Sequence, residues 1–410
     1  MLKYILKLGW KNVWRNPTRS GVVIVTVLLG TWAGIFAAGF FNGMLDDYLK
    51  GQINLTVGHV QIMHPEFEDL YNPNYSIHNT EEVVKSLNEI STIKDISAKS
   101  VASGLAQSAR NSFGVTIWGM DIENDTSISV RSIEGYLDEG DMPDPTGRNQ
   151  ILIGDDLADR LGLELRSRMV LSFQDVNGDI TAGAFRVAGI FDSFDSRFDE
   201  SYVVVNKANL NQLLGEENLT HNIRIDVGEL MVADDLASQI QQDFPNLEVK
   251  SWREIAPDLR YVFDMQDISL YMVMIIIIIG LIFSIINTML MAVMERTREL
   301  GMLRAIGMNK SRTFSMVMLE TVFLTMVGSP AGLLLGWLTI TYFGMNGIDL
   351  SAFADGLEGW GFTTMIYPSL ALKYYLNIVL LVAVAALISA LYPAWRALKL
   401  RPVEAIRKFN

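Results

Sequence analysis

Four long apolar runs constrain the fold of this chain more than any other feature. They cover residues 21–42, 269–294, 314–344 and 374–393. A helix needs about 20 apolar residues to cross a bilayer, and all four runs are long enough. The first two runs carry no charged residue, and the third carries only Glu320. Because a charge at the bilayer centre costs about 2.5–3.5 kcal/mol on insertion scales, the pattern predicts four transmembrane helices.

The long interval between the first and second runs, residues 43–268, predicts a separate folded domain. Alternating apolar and polar residues predict strands, and capped amphipathic stretches predict helices. The predicted strands are 57–63, 101–106, 113–119, 150–153, 169–173, 185–191, 202–205, 222–227 and 247–251, and the predicted helices are 80–87, 155–161 and 233–243. Short strands between about 128 and 217 interrupt the α/β alternation and predict an inserted lobe. The predicted fold class is an α-helical membrane protein with four transmembrane helices and a large mixed α/β, two-lobed extracytoplasmic domain between helices 1 and 2.

Charge predicts the orientation in the membrane. Residues 1–20, 295–313 and 394–410 together hold 15 Lys or Arg and 3 acids, whereas residues 43–265 hold 17 and 38. Basic flanks stay on the cytoplasmic side. Both termini and the 295–313 connection are therefore expected in the cytoplasm, and the 43–268 domain and the 345–373 loop outside. The first 20 residues are either an interfacial helix on the inner leaflet or a simple basic flank.

The connection at 295–313 is short, charged and helical in pattern. Helical geometry places Met302, Leu303, Ala305, Ile306 and Gly307 on one arc, with Arg304 opposite. An apolar arc on a cytoplasmic connection indicates a docking surface for another protein. The alternative is a helix held on anionic lipid by its basic residues.

The same segment resembles the coupling segment of the FtsX/MacB/LolC-LolE superfamily of ABC-transporter permeases, which has the pattern E-x-x-R-E-[LI]-G-x-x-[RK]-A-[IL]-G. Landmarks at both ends of the chain, around Trp10–Pro17 and from Tyr392 to Arg407, are also similar to the family. The resemblance implies contact with a cytoplasmic ATPase dimer. The implied coupling residues are Glu295, Arg298, Glu299, Leu300, Gly301, Leu303, Arg304, Ala305, Ile306 and Gly307.

The sequence offers no chemistry of its own for ATP hydrolysis. It has no Walker A loop and no Gly-Lys pair, and its four histidines lack metal-ligand spacing. We therefore expect no catalytic residues, no metal and no cofactor on this chain, with ATP and Mg bound by a partner ATPase. In this respect the chain departs from MacB, in which the ATPase is fused. No basic patch predicts nucleic-acid binding.

Length, domain size and the unfused ATPase look most like lipoprotein-releasing permeases of the LolC/LolE type in the bacterial inner membrane. That resemblance implies a second permease copy, either identical or a sister chain, a lipoprotein substrate, membrane lipid, and a periplasmic carrier or adaptor. It also implies a substrate cavity between spans 1 and 2, with the candidates Phe36, Phe40, Phe41, Met44, Leu270, Met274, Ile277 and Leu281. The alternative for each is ordinary packing or lipid contact. Two other functions stay open: a MacB-like tripartite efflux permease for peptides or drugs, and an FtsX-like signalling module.

Polar and small residues inside the spans predict contacts between helices. Asn287 is expected either at a subunit interface or in a helix–helix hydrogen bond, and Glu320 either as a transmission contact or paired with Arg312 or Lys310. Glycines at four-residue spacing in spans 1 and 3 allow close helix approach. They are Gly30, Gly34, Gly328, Gly332 and Gly336.

Overall fold

The computed structural model describes residues 10, 14–15, 17–67, 71–122, 125, 127–144, 147 and 149–399. Most of the N-terminal segment, and the end of the C-terminal motif from residue 400, lie outside this part of the chain. The helices are α1 Pro17–Gln52, α2 Thr80–Leu87, α3 Ile128–Gly135, α4 Asp155–Leu161, α5 Ser196–Ser201, α6 Lys207–Leu214, α7 Ala233–Asp243, α8 Trp252–Ile255, α9 Pro257–Glu295, α10 Thr297–Ala305, α11 Lys310–Asn346, α12 Ala354–Glu358 and α13 Leu372–Leu398. Four of them, α1, α9, α11 and α13, are long and apolar enough to cross a membrane.

The strands belong almost entirely to the domain between α1 and α9. They are β1 Val60–Met63, β2 Asp95–Gln107, β3 Ser112–Met120, β4 Leu137–Gly140, β5 Gln150–Gly154, β6 Arg168–Gln174, β7 Ile180–Phe191, β8 Tyr202–Asn206, β9 Asn222–Asp226, β10 Glu248–Ser251, β11 Ile348–Asp349 and β12 Met365–Ile366. The first ten form one sheet in the order β10-β1-β9-β2-β3-β8-β5-β7-β4, and β6 pairs with β2 and β7. The predicted mixed α/β domain is confirmed. The predicted helices 80–87, 155–161 and 233–243 match the observed ones, whereas β2 and β7 begin six and five residues before the predicted strands 101–106 and 185–191.

One long strand joins the two lobes of this domain. The first part of β2, residues 95–99, pairs antiparallel with β9, and residues 100–107 pair with β3. The predicted inserted lobe covers residues 128–217. Its strands pair with β3 and with the second half of β2, so this lobe also includes residues that precede the predicted range. A strand of 13 residues can serve both lobes because its two halves bond to different neighbours.

Each lobe has its own core. One cluster includes Ile117, Leu157, Leu171, Val187 and Val205, all almost fully buried. The other packs α2, α7 and the end of α1 on β1 and β9. Residues Asp46–Asp264 and Asp349–Thr364 form one compact unit, so part of the predicted 345–373 loop belongs to the outer domain.

Glycines allow the membrane helices to pack closely. A Cβ on Gly30 would overlap Leu281 of α9, and a Cβ on Gly332 would lie 2.5 Å from the carbonyl oxygen of Leu28 on α1. Gly328 and Gly336 contact α1 in the same way. The predicted role of these glycines in close helix approach is confirmed.

Candidate coupling site

A sharp corner joins the second membrane helix, α9, to α10, which we call the coupling helix because it carries the predicted coupling residues. Helix α9 ends at Glu295 and α10 begins at Thr297, and Arg296 between them has φ −98° and ψ 14°. The N–H of Arg296 donates to the carbonyl of Val293, and the carbonyl of Arg296 accepts from Leu300. The turn directs the Arg296 side chain inward, where the residue is only 9% exposed.

An ion-pair network holds this corner against α11. Arg296 Nη1 donates to both carboxylate oxygens of Glu320 at 2.8 Å, and Arg296 Nε donates to Glu299 at 3.1 Å. Arg15 also donates to Glu299. Burial acts to raise the pKa of Glu299, but the hydrogen bonds from Arg296 and Arg15 hold it below its usual value. The coupling helix is therefore fixed to its neighbours by charge-assisted hydrogen bonds.

The partner of Glu320 corrects one prediction. The sequence suggested Arg312 or Lys310, but these lie eight and ten residues earlier on the same helix, about 12 and 15 Å away along the axis. The helix corner instead brings Arg296 to Glu320. Arg296 was absent from the predicted coupling set, and its only sequence signal was its place beside the matched residues.

The coupling helix has one inward and one outward face. Leu300 and Gly301 are buried, and Arg304 Nη1 donates to the carbonyl of Leu398 at 3.0 Å. Met302, Leu303 and Ile306 are 44%, 36% and 86% exposed. The predicted apolar arc, with Arg304 on the other side, is confirmed. Glu295, Arg298 and Ala305 are also exposed.

Gly307 ends the coupling helix. Its φ is +102°, a conformation that strains any residue with a Cβ. The N–H of Met308 donates to Leu303 and the N–H of Gly307 to Arg304, which is the Schellman pattern. Asn309 then caps α11 by accepting from the N–H of Ser311. Gly307 thus defines where the exposed apolar face stops.

The predicted substrate-cavity residues separate into two groups. Leu270, Met274 and Leu281 are at most 4% exposed and belong to the core of the helix bundle, which is at odds with a place on a cavity wall. Leu281 packs directly on Gly30, where the missing Cβ lets the two helices approach closely. Phe36, Phe40, Phe41, Met44 and Ile277 are half-buried. Within this group, Phe36 stacks with Trp32 at 6.0 Å and approaches Phe40 at 6.1 Å, which forms an aromatic row along α1.

Asn287 has no hydrogen-bond partner among the residues that the structure describes, and it is exposed on α9. The predicted helix–helix hydrogen bond is therefore absent within this part of the chain. A place at a subunit interface remains a prediction.

A second anchoring point lies where α1 enters the outer domain. The helix continues as a π-helical turn, Ile53–Val57, whose carbonyls need partners. The fully buried Arg224 of β9 supplies them: Nη2 donates to Ile53 at 3.1 Å and to Asn54 at 2.7 Å, and Nη1 donates to Leu55 at 3.3 Å. The end of α1 is thereby bonded to the central sheet.

A buried carboxylate completes this anchor. Asp226 accepts from Arg224 at 3.3 Å, and its Oδ1 lies 2.9 Å from His59 Nδ1. Burial acts to raise the pKa of Asp226, but His59 and Arg224 hold it below its usual value. The carbonyl of His59 accepts from the N–H of Trp252, which starts α8 just before α9. Both chain segments that lead into the outer domain are thus tied to neighbouring residues of one sheet.

Four apolar helices, a large domain inserted after the first, and an exposed helical connection after the second define a membrane permease. Two protein-family models match this chain. The family model of the FtsX-like permease C-terminal domain matches residues 271–402, and the family model of the MacB-like periplasmic core domain matches residues 20–243. The chain belongs to the FtsX/MacB/LolC family of ABC transporter permeases.

Individual relatives are distant. The lipoprotein-releasing system transmembrane protein LolC of Xylella fastidiosa (strain Temecula1) is 22% identical over 300 residues, which cover 70% of this chain and 72% of that protein. The uncharacterized ABC transporter permease YknZ of Bacillus subtilis (strain 168) is 25% identical and covers 98% of each chain. The macrolide export ATP-binding/permease protein MacB of Chlorobium luteolum is 34% identical over 124 residues, 30% of this chain but only 16% of that protein.

Proposed function

We propose that this chain is the permease subunit of an ABC transporter that releases lipoproteins from the bacterial inner membrane, with ATP hydrolysed by a separate subunit. The observation that supports coupling to an ATPase is the exposed apolar face of α10, which lies between the buried Arg296–Glu320 ion pair and the glycine that ends the helix. Similarity to LolC over 70% of the chain supports the substrate.

The coupling step begins at Met302, Leu303 and Ile306. These exposed side chains provide the apolar surface that a groove on an ATPase would bury. A force on α10 reaches α11 through Arg296 and Glu320, and it reaches α9 through the corner at Arg296. Because α9 is a single helix from Pro257 to Glu295, it carries that displacement along its whole length.

The outer end of the path is the anchor formed by Arg224, Asp226 and His59. It binds the π-helical turn after α1 to β9, and the N–H of Trp252 binds the start of α8 to the same place. A displacement of either membrane helix therefore acts on the central sheet. Mechanical transmission of this kind needs rigid contacts, and buried hydrogen-bonded networks provide them.

The substrate is proposed to contact the aromatic row on α1. Trp32, Phe36 and Phe40 present aromatic side chains at four-residue intervals, which suits an acyl chain better than a hydrated peptide. The basic flanks support a location of both termini in the cytoplasm, with the outer domain in the periplasm. A second permease copy and a periplasmic carrier complete the proposed assembly.

The experiment uses a photoreactive benzoylphenylalanine in place of Phe40, in membranes where ATP turnover is blocked. We expect crosslinks to an acylated lipoprotein. The matched control places the same group at Leu334, which is 55% exposed on α11, and should capture phospholipid alone. Phospholipid at both positions would refute lipoprotein release.

A MacB-like efflux permease is the second candidate, because the MacB-like core model covers residues 20–243. The same crosslinker decides between the two candidates. Capture at Phe40 of a peptide or drug without an acyl chain would favour efflux.

A further inference from the structure

The outer domain contains a cavity of about 630 Å³. This volume is within the range of about 300–1,000 Å³ that is usual for small-molecule sites. Its walls come from β1, β2, β3, β8, β9, the segment around α5, and the ends of α1 and α9. No part of the proposed coupling path requires an open space here.

An aromatic cluster forms one wall. Trp118 and Tyr202 have ring centroids 4.8 Å apart, and Tyr202 stacks on Phe198 at 4.7 Å with an interplanar angle of 19°. Phe198 packs in turn against Phe191, which is fully buried. Because the rings fix each other, the wall is preorganised rather than formed on binding.

A buried cation lies in this cavity. Lys99 of β2 is 3% exposed, lines the cavity, and has its Nζ 3.7 Å from the centroid of the Trp118 ring. Across the described part of the chain, Lys99 Nζ has no hydrogen bond or ion pair. Lys207 provides the contrast, since its Nζ donates to the carbonyl of Ala98 and the hydroxyl of Thr220, both at 2.9 Å. A buried ammonium is costly unless an acceptor contacts it.

The other charges near the cavity are already compensated or lie at its rim. Asp195 accepts from Gln52 at 2.6 Å and pairs with Arg197. Asp258 also lines the cavity, but it is exposed. Around Lys99 itself stand the cation Arg224, paired with Asp226, and the carboxylate of Asp125. Asp125 and Asp226 oppose the charge of Lys99 from a distance, but neither forms an ion pair with it, so the buried ammonium has no direct acceptor among the described residues.

Burial, together with the positive charge of Arg224, lowers the pKa of Lys99 to about 7. An anion placed beside Nζ would favour the protonated form and raise that pKa. Binding of an anion should therefore take up protons near neutral pH.

We propose that this cavity binds a small amphiphilic anion, a carboxylate or phosphate ester on an aromatic or aliphatic body. Lys99 would contact the anion, and Trp118, Tyr202 and Phe198 would contact the apolar body. The site lies in the outer domain and is separate from the proposed acyl-chain contact on α1, so it goes beyond the proposed function. A bound ligand would contact the ends of both helices that enter this domain, at Tyr48 and Leu259.

The test uses the full-length protein in lipid nanodiscs and four probes that share one apolar body: biphenylbutyrate, biphenylbutyl phosphate, biphenylbutanol and biphenylbutylamine. Titration calorimetry measures their affinities, with empty nanodiscs subtracted. We expect either anion to bind at least about tenfold more tightly than the alcohol, since hydrogen bonds to charged groups are strong. The amine should bind no better than the alcohol. The two anionic probes show which anion is preferred, and a preference for either supports the site.

Two variants locate the effect. Lys99→Met should remove the anion selectivity while it leaves alcohol binding within about twofold, because only the charge contact is lost. Lys207→Met changes a partly buried lysine of the same domain that lies outside the cavity lining, and it should keep the selectivity. Proton uptake gives a second readout: at pH 7.5, binding should take up roughly three-quarters of a proton if it fully protonates a group of pKa about 7. Equal affinities for anion and alcohol in the wild type, or selectivity that survives Lys99→Met, would overturn the proposal.

Discussion

Arg296 donates from Nη1 to both carboxylate oxygens of Glu320 at 2.8 Å, and both residues are more than nine-tenths buried. This pair joins the corner after the second membrane helix to the third membrane helix. A buried pair contributes little when compared with apolar replacements, but removal of one partner leaves an uncompensated charge. Its role is therefore to fix the position of α10.

We predict that Glu320→Gln lowers the free energy of unfolding by about 3–5 kcal/mol, because Arg296 loses its buried counter-ion. The measurement is the thermal unfolding of the purified protein, followed by tryptophan fluorescence. The double variant Arg296→Leu/Glu320→Leu should recover most of the stability, since neither charge remains. It should still uncouple ATP hydrolysis from transport if the pair positions α10. An unfolding temperature for Glu320→Gln equal to that of the wild type would contradict this account.

Gly58 follows the π-helical turn with φ +73°, and a Cβ there would lie 2.5 Å from Cγ of Arg224. We predict that Gly58→Ala destabilises the outer domain by about 2 kcal/mol or more, through backbone strain and displacement of Arg224. Thermal unfolding measures the change. The matched control is Gly114→Ala, whose Cβ would meet nothing within 4 Å. Similar losses in both variants would show that the anchor at Arg224 is not sensitive to this position.

Most of the fold was accessible from the sequence because each element has a strong local signal. The membrane helices can be predicted from their length and lack of charge. Strands β5 and β6 can be predicted from alternating apolar residues, and α4 from its capping pattern. The apolar arc of α10 followed from helical periodicity alone. These predictions rest on neighbours in the chain, where the period fixes the geometry.

The contacts of the two anchors were not accessible in this way. Arg296 and Glu320 are 24 residues apart, and Arg224 bonds to carbonyls about 170 residues earlier. Hydrophobic periodicity predicts neither contact. The contact of Arg296 with Glu320 depends on the corner between α9 and α10, and the contacts of Arg224 depend on the register of β9 in the sheet. The same limit applies to Leu270, Met274 and Leu281, which the sequence predicts to lie on a cavity wall and which the structure places in the core of the helix bundle. Hydrophobicity does not distinguish a core residue from a substrate contact.

Because Lys99 is buried in the outer domain, we predict that the free energy of unfolding depends on pH. The pKa of Lys99 is lowered to about 7 in the folded protein, below its usual value of 10.5. Between these two values the unfolded chain binds the proton and the folded chain does not, so the free energy of unfolding should rise with pH in this window. Lys99→Met removes this pH-dependent contribution to the free energy of unfolding. It should stabilise the protein by about 1–3 kcal/mol at pH 7 or below.

Thermal unfolding of wild type and Lys99→Met at several pH values between 6 and 10 checks the sign. The advantage of the variant should be largest at pH 6–7 and should shrink steadily toward pH 10. A difference that is constant over this range would mean that Lys99 titrates normally in the folded protein.

The alternative to a docking surface on α10 is attachment to anionic lipid, which depends on positive charge. Lys310→Gln/Arg312→Gln removes two exposed cations that follow the coupling helix and lie outside the apolar face. Since each basic residue contributes about 1 kcal/mol to lipid attachment, this variant should weaken a lipid anchor. We predict that it leaves the yield of copurified ATPase unchanged. Loss of the ATPase in this variant would favour the lipid interpretation.

Copurification of the ATPase with the variant Leu303→Asp/Ile306→Asp tests the central claim most directly. Both side chains are exposed, at 36% and 86%, so the protein should still fold and insert. A carboxylate buried without a partner in a protein groove is costly, so we predict that the ATPase is lost from the purified complex. The shape-conserving control Leu303→Met/Ile306→Val should retain it. Copurification of the ATPase with the aspartate variant at the wild-type yield, with normal substrate-stimulated hydrolysis, would contradict the assignment of α10 as the coupling helix.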